Sequence, residues 1–173
     1  YSGQANMSGT VTGTFENLAL QFKLLAKKIN LPSGLKVDKL EGQASMMADE
    51  SGQVNGEFTA KNLKYGKHPV MDGKLTLQGT RAKHQLNLTA QGKEFKFAST
   101  LQGGLIVATN RWQGLLQNLT LEGGIPIKLA APAPLLFDTK GATLEQAHVQ
   151  LNKGNVFIDL IKFDSNGFAS TGH

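Results

Sequence analysis

The 173-residue chain contains no cysteine. That removes disulfides, thiol catalysis and cysteine metal sites, and it is compatible with an oxidising compartment. Arginine is scarce, with Arg81 and Arg111 alone, so lysine carries almost all of the +5 formal charge. Lysine on the wet side of strands reads as solubility and edge protection before it reads as an anion site. No stretch approaches the roughly 20 apolar residues that span a bilayer. The piece is therefore expected to be soluble, with any anchoring or targeting segment outside it. It begins at Tyr1 and reads as an excised part of a larger protein, with His173 as a tag remnant. There is no phosphate loop, no His-Glu-x-x-His and no Gly-x-Ser-x-Gly. Glu41 and the Asp49-Glu50 pair fall at turns or wet positions, as solvated carboxylates do. His68, His148 and His173 are scattered without ligand spacing. Nothing here argues for an enzyme, a metal or a cofactor.

What the chain does have is alternation. From Leu40 to about Leu129, apolar and polar residues exchange places with only short breaks. Successive side chains of a strand point to opposite faces, so each run describes a sheet with one greasy and one wet side. Leu40, Gly42, Ala44 and Met46 oppose Lys39, Glu41, Gln43 and Ser45. Val54, Gly56, Phe58 and Ala60 oppose Asn55, Glu57, Thr59 and Lys61, after a turn at Glu50-Ser51-Gly52. Leu75 and Leu77, then His84, Leu86, Leu88 and Ala90, then Phe95 and Phe97, continue the greasy side. Gly103-Gly104 is read as a bulge or break. Leu119 and Leu121 follow, then a run Ile125, Ile127, Leu129, Ala131. Two strands, 143–151 and 155–163, close the chain around Asn152-Lys153-Gly154. Residues 5–15 read as a further strand. Residues 17–30 fit a helix face and a strand face equally well, and the neighbouring strands favour a strand. This predicts an all-β domain of about a dozen strands.

One region carries a resemblance. It runs GKLTLQGTRAKHQLNLTAQG, then FKFASTLQGGL, RWQGLLQNLTLEG and IPIKLAAPAPLLF. A Gly-Thr strand end, His84 opening the next strand, a Gly-Gly-Leu, a Trp-x-Gly-x-Leu around Trp112 and a Leu-x-x-Pro-Ala stretch occur in this order. The segment 73–137 resembles the TamB family of the AsmA-like group, part of the translocation and assembly module of Gram-negative bacteria. The tail ATLEQAHVQLNKGNVFIDL is similar to the strand pair that follows in that family, whereas residues 1–72 fit only in style. One departure is that a second aromatic often follows the Trp112 strand, where this chain has Ile127 and Leu129. That leaves open which segment of the family protein this is.

The resemblance implies a single long curled antiparallel or mixed sheet, U-shaped and open along one side, with an apolar lining. Residues 1–173 would form one such groove segment. It implies a periplasmic location in a parent protein anchored in the inner membrane. It also implies phospholipid acyl chains as cargo and an Omp85-type outer-membrane barrel as partner. The residues expected to line the groove are Leu40, Met46, Val54, Phe58, Leu75, Leu77, Leu86, Leu88, Phe95, Phe97, Leu119, Leu121, Ile127 and Leu129. Ten to twelve strands at ~4.8 Å make a groove roughly 50 Å long. Small residues such as Gly42, Gly56 and Ala90 are expected to leave lumen volume. The alternative is a scaffold that binds β-strands of outer-membrane protein clients by strand addition. Without the resemblance, the same pattern suits the core of a plain sandwich. Nucleic-acid stacking is a poor fit, because Phe95 and Phe97 alternate with Glu94 and Lys96.

Overall fold

A computed structural model describes residues 2–14, 18–31, 34–49, 51–66, 71–164 and 167–173. Phe15, Glu50 and His68 lie outside the described residues. Among the described residues thirteen strands form one sheet. They are β1 (Ser2–Thr12), β2 (Ala19–Asn30), β3 (Leu35–Met47), β4 (Gln53–Tyr65), β5 (Met71–Thr80), β6 (His84–Gly92) and β7 (Lys96–Ile106). After a 3₁₀ turn at Val107–Thr109 come β8 (Arg111–Glu122), β9 (Ile127–Leu129), β10 (Ala133–Asp138), β11 (Gly141–Leu151), β12 (Gly154–Asp164) and β13 (Gly167–Gly172).

Among the described residues each strand pairs antiparallel with its neighbours in the chain, β9 and β10 excepted, so the sheet is a meander with no parallel ladder. Residues 19–30 are strand, not helix: Leu20 to Lys27 pair residue by residue with Met46 to Lys39. One position holds two strands. β9 and β10 both run between β8 and β11, β9 against Thr120-Leu121 and β10 against Trp112 to Leu116. Pro132 has no N–H to give a ladder, which explains the interruption between them. Ala130 N–H still donates to the His148 carbonyl across it, at 2.8 Å. The expected run from Ile125 to Ala131 is therefore cut down to Ile127–Leu129, and Ile125 is 68% exposed.

The alternation does not run unbroken through the strands. Lys28, Asn62 and Gln146 have φ of 53°, 53° and 51°, in the left-handed region. In β8 the register against β7 slips between Thr100 and Leu101, which leaves Gln117 as an extra residue. Each irregularity reverses the parity, so two apolar residues three apart both face the greasy side. Leu116 and Leu119 do so, as do Ala60 and Leu63, and Leu144 and Ala147. Such irregularities bend a strand and tighten its twist, which is how a wide sheet curls. The expected break at Gly103-Gly104 is absent. β7 runs straight through both glycines, and the bulge sits on the partner strand instead.

The result is one large curled sheet whose packing centre lies where β8, β10 and β11 meet. Leu116, Leu129, Ala133 and Ala147 are buried there, with Leu101, Leu119, Leu135, Leu144, Val149 and Ile158 packed around them. Burial of these groups against one another is the main stabilising term of such a wall.

Candidate functional site

Directly paired residues of an antiparallel sheet share a face. Tracing the pairs therefore tests which apolar groups belong together. One row reads Met7, Leu24, Gly42, Phe58, Leu75, Leu88, Ser99, Leu119 across β1 to β8. A parallel row reads Gly9, Phe22, Ala44, Gly56, Leu77, Leu86, Leu101, Leu116, Ala133. The face continues through Leu121, Ile127 and Leu129 to Val149, Leu151 and β12. The register places Leu40, Met46, Val54 and Phe97 on it as well. Phe95 stands just outside β7, in the turn before it, and its ring covers Gly92. The fourteen residues singled out from the sequence thus lie along one face, with Phe95 at its margin. Exposure is greatest at the ends of the stack, where Met7 is 76% and Phe163 62% exposed.

The small residues of this face do not all leave space. A Cβ on Gly42 would stand 2.1 Å from the Phe58 ring. Gly92 seats Phe95 in the same way, and the Trp112 indole lies over both Gly103 and Gly114. These glycines are seats for neighbouring rings, and the expected lumen volume at Gly42 is filled. Gly56 differs: a Cβ there would meet Ala44 and Leu77 at ordinary contact distances of 3.4 and 3.5 Å.

The quoted motifs converge on one packing unit. Trp112 Nε1 donates to His84 Nε2 at 2.7 Å, and His84 Nδ1 lies 2.9 Å from the Thr80 carbonyl. Only the neutral Nδ1–H tautomer satisfies both contacts. Phe137 tilts against the indole at 5.4 Å between ring centroids. His84 is thus a bracket that holds Trp112 across two glycine strands, and the Gly-Gly-Leu and Trp-x-Gly-x-Leu motifs are its two supports. Trp112→Phe keeps a ring but loses the donor, leaving a part-buried imidazole acceptor without its partner. We expect a loss of ~1–2 kcal/mol in urea unfolding, and more with Trp112→Ala.

The reverse face is wet. Thr76, Asn87 and Thr100 form a hydrogen-bonded row across β5 to β7, with Gln85 joining it. Lys39–Glu41, Lys61–Asp72 and Lys74–Glu57 pair at 2.7 Å. The Lys61 ammonium and the Asn62 N–H hold the Asp72 carboxyl below the usual carboxylate range, and Lys39 does the same to Glu41. Their small contribution is complete at neutral pH and is lost as pH falls through those lowered values. Furrows of about 600 and 790 Å³ run between the polar side-chain rows, the first flanked by Lys23, Gln43, Asn55 and Glu57. On β11 to β13, His148 stacks on Phe157 and Phe157 on His173, a grouping with no signal in sequence spacing. Among the described residues no cluster of three or more His, Asp or Glu side chains is placed to hold a metal ion. No helix among them is long and apolar enough to cross a membrane.

The described residues form a long surface with one apolar and one polar side. Compared with known families, the chain matches the family model described as TamB, N-terminal domain, over residues 1–152. No curated protein and no solved structure matches.

Proposed function

The chain belongs to the TamB N-terminal-domain family, and from that premise we propose that its apolar wall shields the acyl chains of phospholipids moving between the inner and outer membranes. The observation that carries this reading is continuity: the apolar face extends from β1 to β12, strand by strand, with Ser99 and His84 among its few polar members. An apolar face of that extent is unfavourable in water, and each methylene laid on it gains about 0.8 kcal/mol. The lining is the set Leu40, Met46, Val54, Phe58, Leu75, Leu77, Leu86, Leu88, Phe95, Phe97, Leu119, Leu121, Ile127 and Leu129. The polar reverse face stays in water. In this reading the segment works in the periplasm, within a parent protein anchored in the inner membrane. Together with an Omp85-type outer-membrane barrel it supports outer-membrane biogenesis.

Native mass spectrometry of the purified chain tests the reading, with photocrosslinkers at Leu86 and Phe97. Phospholipid is expected to co-purify and to crosslink at both positions, and not at Thr89 on the wet side. Protein free of lipid, or crosslinking independent of face, rules the reading out.

A second reading draws on β1 and β13, which are exposed along their whole lengths. Their free backbone donors suit strand addition by outer-membrane protein clients. Proline at outward N–H positions of β1 abolishes that activity and leaves lipid co-purification intact, which separates the two.

A further inference from the structure

The two long rims of the sheet are chemically different. Because the sheet is a meander, its turns alternate between rims, and one rim collects the turns after β2, β4, β6, β8 and β11. Each of these turns contains a lysine or has one at the second strand residue beside it: Lys36, Lys64, Lys93, Lys128 and Lys153. All five are exposed, and none forms an ion pair among the described residues. Behind them Lys27, Lys39 and Lys61 stand directly opposite one another on β2, β3 and β4. Like charges directly opposite destabilise a sheet, and Glu41 and Asp72 offset this only for Lys39 and Lys61.

The other rim is built differently. Arg111 is committed to Asp138 at 3.6 Å and Lys162 to Asp164 at 2.8 Å. The Arg81 guanidinium donates to the Ala48 carbonyl and so ties two turns together. Lysines outside any ion pair among the described residues stand at two of this rim's six turns, Lys83 and Lys140, against all five turns of the first rim.

We propose that the lysine-bearing rim is a rail for the phosphate groups of the lipids whose chains lie on the apolar face, an inference that rests on the lipid-shielding reading. Turns on one rim recur every second strand, which spaces the cations by ~10 Å and extends the rail over roughly 40 Å. Lys36, Lys64 and Lys128 leave the sheet on its wet side, each two residues or fewer from the rim, and a lysine's flexible stem can bring its hydrated ammonium round that rim. Weak, repeated contacts let a head group pass from one cation to the next without being held. The chemistry recognised is a phosphodiester joined to two acyl chains.

The test compares binding of short-chain phosphatidylglycerol with diacylglycerol of the same chain length, using the whole chain. The diacylglycerol has the chains and lacks the phosphate. The unmodified protein is expected to prefer the phosphate lipid by about tenfold, and less at high salt. A variant with Lys36, Lys64, Lys93, Lys128 and Lys153 all changed to Gln is expected to bind both lipids equally and to keep its circular dichroism spectrum. Lys83→Gln with Lys140→Gln, on the other rim, keeps the preference. A preference that survives in the five-lysine variant overturns the rail, as does an equal loss in the other-rim variant. So does a chain-free polyanion, a 20-nucleotide DNA strand, that displaces the phosphate lipid as strongly as the lipid displaces itself. If neither lipid binds the unmodified protein, the lipid-shielding reading falls and takes the rail with it. If both bind equally, the rail alone falls.

Discussion

Gly114→Val is expected to unfold the wall formed by β7, β8 and β10. A Cβ at this position would lie 2.3 Å from the Gln102 carbonyl oxygen and 2.7 Å from the Trp112 ring. The first of these atoms belongs to the neighbouring strand and cannot rotate away. The second belongs to an indole pinned by His84 and Phe137. The strands must separate or Trp112 must leave its seat, at a cost of ~3 kcal/mol, the upper end for overpacking. Trp112 is the only tryptophan, so its fluorescence reports the outcome directly. A red-shifted emission and a lower urea midpoint are expected, whereas Gly56→Ala should leave both unchanged because its site has room. If Gly114→Val shows the same emission and midpoint as the parent chain, the indole does not rest on that glycine.

Leu88→Asp is expected to remove lipid while sparing the fold. Leu88 is 39% exposed, between Leu75 and Ser99 in the middle of the apolar face. A carboxylate there remains hydrated in the empty protein, so unfolding shifts by about 1 kcal/mol or less. Covering that carboxylate with an acyl chain strips its water and offers no partner. Co-purified phospholipid is expected to fall at least ~tenfold. Thr89→Asp puts the same charge one residue along, on the wet side, and is expected to keep its lipid. Equal lipid content in the two variants would show that cargo does not touch this face.

Much of this was legible in the residues. The strands from β3 to β8 announce themselves because each has one face in water and one against carbon. The apolar residues of that side follow from the same period, and the register places them on one face, with Phe95 at its margin. The corners were not legible. Lys28, Asn62, Gln117 and Gln146 look like ordinary wet-side residues, and nothing in a polar side chain signals a left-handed backbone or an added residue. Strict alternation would therefore send Leu63 and Ala147 to the wrong face. The glycines misled for a different reason. Gly42 read as a gap, but the Phe58 ring that fills it comes from the neighbouring strand, and only register brings it there. Gly103-Gly104 looked like a break because glycine weakens a strand in isolation, whereas here it admits the indole. The division between β9 and β10 was half visible, in Pro132, but their shared position depends on β11, more than ten residues further on.

The meander has a consequence for how such a protein can change in size. Each strand answers only to the strands beside it, so stability is a sum of neighbour terms. Gauge and length are then encoded separately: the bends within a strand set the cross-section, and the number of hairpins sets the reach. Removing β5 and β6 together would shorten the trough by ~10 Å and return every later strand to its old orientation. Removing one strand alone would exchange the two banks from that point on and carry the cationic turns to the opposite side. Growth and loss in this architecture are therefore counted in pairs.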